Sequence, residues 1–320
     1  MKPVQIAVIG LGHVGAHVAY TLIRDGVCDV LQLIDANEDK VKSERQDFMD
    51  CQQFLPHRTN VVVADFPDLK DTDIIINATG KITLLIENMN RDDELRYCVP
   101  NVRSYIPKIK ASGFHGVLIN ITNPCDIITR EFAKGLDLPK GHVFGTGTGL
   151  DTARLISVLH EKTGFSARSI TGFMIGEHGN AQFCPWSAVS IGSQKLLAMR
   201  ESDDPRFQFD LDSVTNAAVQ NAWVTFSGKN CTEYAIASTA VRDAEAVLHD
   251  EKIIVPASIG LDGEYGEKDV FAGVPCIVGK CGVEEIVELP LLDEEKEKFH
   301  ECCDRIRENI ALADTLADHL

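Results

Sequence analysis

The feature that most constrains this chain is the order of a few short runs in its first 35 residues. An apolar run, "VQIAVIG" (4–10), leads straight into "GLGHVG", which opens a helix-like stretch, "HVGAHVAYTLIRDG". A second apolar run, "VLQLID" (30–35), ends on Asp35, 20 residues after Gly15. Gly10, Gly12 and Gly15 permit a tight turn and a close backbone approach, so a pyrophosphate can rest on the N-terminus of the following helix. A carboxylate at Asp35 would accept hydrogen bonds from an adenine ribose and repel a 2′-phosphate, which favours NAD over NADP. GxGxxG by itself can be a packing turn with an exposed aspartate nearby. Strand, glycines, helix and acid together predict a dinucleotide cradle.

The first half keeps this rhythm. "ANEDKVKSERQDFMDCQQF" reads as a helix, and "NVVVAD", "DIIINATG", "GVLINIT" and "HVFGTG" supply four more strands. Six strands with helical crossovers predict an α/β fold built on a doubly wound six-stranded parallel (Rossmann) sheet. Past Gly149 the pattern changes. A helix is expected over 150–163, then a long helical region from about Asp210 to His249, interrupted near Gly228. "KIIVPASIGLDGEYG" and "VPCIVGKCGVEEIVEL" read as antiparallel strands joined by glycine turns. A final amphipathic helix takes Asp293 as its N-cap and sets Phe299, Cys303, Ile306, Ile310 and Ala313 on one face. The expected division is a cofactor-binding domain over 1–146 and an α+β substrate-binding and catalytic domain over 147–320.

Net charge is −17, which argues against a nucleic-acid backbone or an anionic membrane as partner. An anionic small molecule would need arginines focused locally. The ten cysteines are scattered without a CxxC, as suits reduced thiols in a cytoplasm. The N-terminus carries one lysine, glycines at fixed spacing and two histidines in its supposed apolar core, unlike a signal peptide. No window is long and apolar enough to span a bilayer. A cytoplasmic protein is expected.

Three strings in mid-chain bear chemistry. "TNPCD" puts Asn123 at the end of a sheet strand, where α/β sheets present ligand groups. "GLDTAR" sets Asp151 and Arg154 three apart on one helix face, and "GEHGN" holds His178. Singly they are unremarkable: a lone histidine is more often satisfied in the fold, and such an Asp–Arg pair is usually a solvated salt bridge. Together and in this order they resemble the NAD-dependent lactate/malate dehydrogenase family. The resemblance runs from "GLGHVG" to "LDGEYGEKDVFAGVPCIVGKCGVEEIVELPL", essentially the whole chain. "LIDANEDKVK", "SGFHGVLIN", "GTGTGLDTAR" and "GEHGNAQF" look closest to its L-2-hydroxyisocaproate dehydrogenase branch.

The resemblance implies roles that make physical sense. His178 would exchange the hydroxyl proton as hydride passes between substrate C2 and the nicotinamide. Asp151 would orient the imidazole and stabilise its charged form. Arg154 would hold the substrate carboxylate in a bidentate fork. Asn123 would hydrogen-bond in the site, touching substrate and cofactor, Thr232 would line the substrate pocket, and Ile236 would pack on the nicotinamide. Val14, Thr79 and Gly80 join the glycines and Asp35 as cofactor contacts. No metal is expected. The partners implied are a small 2-oxo or 2-hydroxy acid and copies of the same chain, as a homotetramer or homodimer.

"ITLLIENMNR" (82–91) is apolar for a loop in water. In the family this loop is a lid whose arginine, here Arg91, polarises the substrate carbonyl in a closing, water-poor site. The family's specificity position, six residues earlier, is Leu85, where lactate dehydrogenases have glutamine and malate dehydrogenases arginine. A second carboxylate against leucine would be desolvated without a partner, whereas an aliphatic side chain gains roughly 0.8 kcal/mol per buried CH₂. A 2-oxo acid with a hydrophobic side chain, such as 2-oxoisocaproate, is the expected substrate. Alternatively the leucines pack on the protein and only Arg91 meets substrate.

Four positions depart from the family pattern. Ile156 and Thr171 replace the basic residues of family members activated by fructose 1,6-bisphosphate, so no such activation is expected. Asn230 stands where glycine is usual and would narrow the pocket or shift its helix. Pro100 should break or kink the helix behind the lid. The competing readings are an L-lactate dehydrogenase with an unusual lid and, from another class, a catalytically idle NAD-binding structural protein. A tyrosine-based short-chain dehydrogenase is excluded, because the chain has no YxxxK.

Overall fold

The computed structural model describes residues 2–81 and 91–316. Its centre is a set of short apolar strands: β1 (Gln5–Ile9), β2 (Val30–Ile34), β3 (Asn60–Val63), β4 (Ile74–Asn77), β5 (Val117–Asn120) and β6 (Val143–Gly145). They pair in parallel in the order β3-β2-β1-β4-β5-β6. Strands such as β4 and β5 are buried at every residue, which is why they read as unbroken apolar runs rather than alternating ones. The expected parallel Rossmann sheet is present, but its strands stop short of the polar tails of "DIIINATG" and "GVLINIT". Those tails leave the sheet and build the site.

Helices cross over between the strands: α1 (His13–Asp25), α2 (Glu38–Cys51), α3 (Arg91–Ser112) and α4 (Cys125–Gly135). Asn37 starts α2 by accepting the backbone N–H of Asp39 and Lys40. α1 buries Val18, Ala19, Leu22 and Ile23 and ends at Gly26 in the left-handed region, φ 68°. Pro100 does not break α3, which runs through both Pro100 and Pro107. Leu95, Val99, Val102, Ile106 and Ile109 of α3 are buried. Burial worth about 1.5–3 kcal/mol per large side chain outweighs the ~3 kcal/mol that an interior proline costs.

The second half begins with α5 (Gly149–Thr163) and a small antiparallel sheet of β7 (Ile170–Thr171), β8 (Ser190–Ile191) and β9 (Gln194–Lys195). After the single turn α6 (Leu196–Met199) come α7 (Leu211–Lys229) and α8 (Tyr234–Leu248). The long helical region is therefore interrupted, but at Asn230 rather than Gly228, which lies inside α7. Asn230 takes φ 64° and its N–H reaches Phe226 O at 2.7 Å, closing the helix end. Asparagine tolerates this left-handed geometry better than other side chains do, so it does glycine's work there. It is exposed and does not line the cleft, so it does not narrow the pocket.

β10 (Ile253–Asp262), β11 (Lys268–Gly279) and β12 (Gly282–Ile286) are antiparallel, as expected. They also extend the Rossmann sheet, because Ser258 of β10 pairs with Gly145 of β6, giving nine strands in one sheet among the described residues. α9 (Asp293–Asp314) packs against β11. Asp293 is its first residue rather than its N-cap, which is Leu292. The Glu295 carboxylate accepts the Leu292 N–H at 2.9 Å and also holds Ser187, so the helix starts one residue early. Cys302 joins Phe299, Cys303, Ile306 and Ala313 on the buried face, with Ile310 half-buried. All ten cysteines are free. Among the described residues no helix is long and apolar enough to cross a membrane.

Candidate active site

The C-terminal ends of β1, β4 and β5 open on a cleft of about 280 Å³. Gly10 has φ +90°, and a Cβ there would lie 2.8 Å from the Thr79 backbone; a Cβ on Gly15 would lie 1.8 Å from Gly10 O. Both positions demand glycine for packing. Around Gly12 a Cβ would meet nothing within 4 Å, so this part of the loop faces open space, as a docking phosphate requires. Gly12 ends the loop and α1 begins without any side-chain cap, so its first N–H groups are open to an anion. Asp35 accepts Leu11 N–H at 2.6 Å and Asn37 N–H at 2.8 Å, bracing the loop. A carboxylate has about four acceptor positions, so capacity for a ribose remains. The cradle fits a dinucleotide.

A buried polar network sets the cleft floor. Tyr105 Oη donates to Asn77 Oδ1 at 2.6 Å, and Asn77 Nδ2 donates to Asn120 Oδ1 and Thr122 Oγ1, both at 2.9 Å. Thr122 Oγ1 in turn donates to Thr79 O at 2.6 Å. The network fixes the segments that carry Thr79, Gly80 and Asn123 to the cleft. Val14, Thr232 and Ile236 reach it from α1, from the α7–α8 connector and from α8. Gly10, Gly15 and Asp35 are not part of this lining.

Asp151, near the start of α5, is almost fully buried. Its Oδ2 lies 2.6 Å from His178 Nδ1, and its Oδ1 accepts Arg154 Nη1 at 2.7 Å. One carboxylate therefore holds both the histidine and the arginine, and all three line the cleft. Burial alone would raise the Asp151 carboxyl, but His178 and Arg154 together hold it below the usual carboxylate range. The histidine is fixed a second way. Its backbone N–H donates to Asp126 Oδ2 at 2.9 Å, while Ser258 Oγ donates to Asp126 Oδ1 at 2.5 Å. Burial pushes Asp126 up to about 6, against the pull of those two hydrogen bonds.

Several residues here escape sequence reasoning. Asp126 and Ser258 are 132 apart in the chain and meet where α4 and β6 pack against β10. Gln182 lines the cleft with its Oε1 lacking a hydrogen-bond partner among the described residues. Val219, Ala222, Trp223 and Phe226 form a third group, one face of α7 laid along the cleft. The i, i+3, i+4, i+7 spacing was visible in the sequence; what that face meets was not. Leu85, the rest of 82–90 and the Arg91 side chain lie outside the described residues.

An α/β sheet with a dinucleotide cradle, opening on an acid-held histidine beside an arginine, belongs to a nicotinamide-dependent oxidoreductase. Family models agree over nearly the full length. Residues 4–145 match the lactate/malate dehydrogenase NAD binding domain, and residues 148–316 match the lactate/malate dehydrogenase alpha/beta C-terminal domain. The chain is 37% identical over 300 residues to an L-lactate dehydrogenase of Fusobacterium nucleatum, covering 93% of each. It is 37% identical over 310 residues to L-lactate dehydrogenase 1 of Bifidobacterium longum, covering 95% of this chain and 96% of that one. Among solved structures it resembles the ligand-bound minor L-lactate dehydrogenase of Enterococcus mundtii, with TM-score 0.91, 31% identity and full coverage of both chains. The chain belongs to the lactate/malate dehydrogenase family and is an NAD-dependent dehydrogenase of the L-2-hydroxyacid type.

Proposed function

We propose that this dehydrogenase interconverts pyruvate-like 2-oxo acids and their L-2-hydroxy acids, acting in the cytoplasm as a homo-oligomer. The observation that carries the site assignment is Asp151, which binds His178 through one oxygen and Arg154 through the other. NAD, when bound, supplies the hydride acceptor and donor; the glycine loop, Asp35, Val14, Thr79, Gly80, Asn123 and Ile236 are the residues that would hold it. With Nδ1 committed to Asp151, proton exchange with the substrate oxygen falls to His178 Nε2. The negative Asp151 stabilises the imidazolium formed when the hydroxyl gives up its proton. Arg154 keeps further N–H donors for the substrate carboxylate, and a planar fork selects a carboxylate over a neutral ketone. Thr232 borders the substrate end, and Arg91 would bring a cation to the carbonyl.

The relatives favour pyruvate and lactate over a branched substrate. A second reading, a preference for larger aliphatic side chains such as that of 2-oxoisocaproate, is supported by the apolar α7 face of Val219, Ala222, Trp223 and Phe226 along the cleft. Each methylene buried there would add roughly 0.8 kcal/mol, or about fourfold in kcat/KM. NADH oxidation with oxaloacetate, pyruvate, 2-oxobutyrate, 2-oxoisocaproate and phenylpyruvate separates the two. A maximum at pyruvate supports the first reading, and kcat/KM climbing with side-chain size supports the second. A maximum at oxaloacetate sinks both. The same assay with fructose 1,6-bisphosphate should show no saturable activation.

A further inference from the structure

Where α1 meets the α7–α8 connector, three unlike donors converge. A ring nitrogen of His13, the Cys231 Sγ and a Glu233 carboxylate oxygen all lie within 4.8 Å of one another. A tetrahedral zinc ion with ligands at 2.0–2.3 Å would set its donors roughly 3.3–3.8 Å apart. The three donors are thus within about an ångström of tetrahedral spacing, which leaves the fourth position to water. His13 is exposed, so its ring can turn inward, while Cys231 is buried and supplies a fixed anchor. Nitrogen, sulfur and oxygen in one group suit a borderline-soft ion and are a poor match for magnesium or calcium, which take oxygen.

We propose that His13, Cys231 and Glu233 form a binding site for a zinc-like divalent ion that competes with the dinucleotide. Competition follows from place. His13 is the first residue of α1, directly after Gly12, and both His13 and Cys231 line the cofactor cleft. An ion held there occupies the approach to the N–H groups on which the pyrophosphate rests. It also ties the glycine loop to the connector bearing Thr232, so it restrains both sides of the cleft.

Without metal, Glu233 is held by Lys229 Nζ at 3.1 Å and His17 Nδ1 at 3.0 Å. Binding requires Glu233 to exchange one of these partners for the ion. The inference does not depend on which 2-oxo acid the enzyme reduces.

Calorimetric titration of the metal-free full-length protein with Zn²⁺ alone, and then in the presence of NADH, tests this. One saturable site per chain is expected, weakened at least tenfold by saturating NADH, with a thiolate-to-metal absorption band when Co²⁺ replaces Zn²⁺. Cys231→Ser and His13→Gln should each weaken binding at least tenfold and remove that band or alter it. Thermal unfolding verifies that each variant is folded, and if one is not, the other carries the test. Absence of saturable binding overturns the proposal. So does binding that neither variant weakens, which would direct attention to the exposed thiol of Cys281, or binding indifferent to NADH.

Discussion

At the scale of single residues, the site is a set of acids with opposite assignments. Asp151 is kept ionised by His178 and Arg154 against the cost of its burial, and its removal should be felt in turnover. Asp151→Asn leaves a side chain of the same shape that can hold the wrong imidazole tautomer, so kcat should fall about 10³-fold or more while the fold persists. A variant within tenfold of the parent kcat would mean that Asp151 does not orient His178. Asp126 works behind the backbone, with its ordinary pKa of 3.8 raised to about 6 by burial. The folded state therefore binds this proton more tightly than the unfolded chain does. The resulting stability is complete below about 3.8 and lost as pH rises through about 6, a swing of roughly 3 kcal/mol. Asp126→Asn should flatten that decline in unfolding free energy measured across this window; an unchanged slope would refute the linkage. Asp243, pushed up to about 8 by burial, has the same sign over a window that also opens at about 3.8 and runs on to about 8, so its share of the decline persists in the variant and only the Asp126 share is removed.

At the scale of elements, the end of α7 shows how a local rule can be satisfied by an uncommon residue. Asn230 adopts φ 64° where glycine would meet no strain. Asn230→Gly should be neutral or stabilise by a few tenths of a kcal/mol, and Asn230→Ala should destabilise by about 1 kcal/mol in denaturant titration. If alanine matched asparagine, the cap would not be held in that geometry. Reading elements from sequence worked where one principle dominated: apolar runs made strands, and glycine spacing made the cradle. It failed where tertiary packing competed with a local signal. Pro100 predicted a break, but its helix is buried along Leu95, Val99 and Val102. Gly228 looked like the interruption, but a glycine inside a helix is only a weak breaker, and the left-handed residue came two positions later.

At the scale of the whole molecule, the motif-bearing residues were legible because each lies beside a strand end or helix start that leaves its own sequence mark. His178, Asp151 and Arg154 converge on one cleft. The residues behind them were not legible, because Asp126, Ser258, Glu295 and Ser187 are joined by contacts between distant segments that no local spacing records. The continuous sheet is of the same kind: a single register pair, Ser258 with Gly145, makes nine strands from two sets.

That sheet leaves two open borders, each a row of backbone groups that offers a template for pairing with another chain. Both are guarded. At β3, Arg45 Nε donates to Val61 O at 3.0 Å, occupying an outward carbonyl from the neighbouring helix. At β12, Glu284 and Glu285 set carboxylates on the rim, with Lys252 paired to Glu284. With an overall charge of −17, like molecules approaching along either border also repel one another. The chain can thus keep a sheet of apolar strands in its interior without its borders templating fibrils.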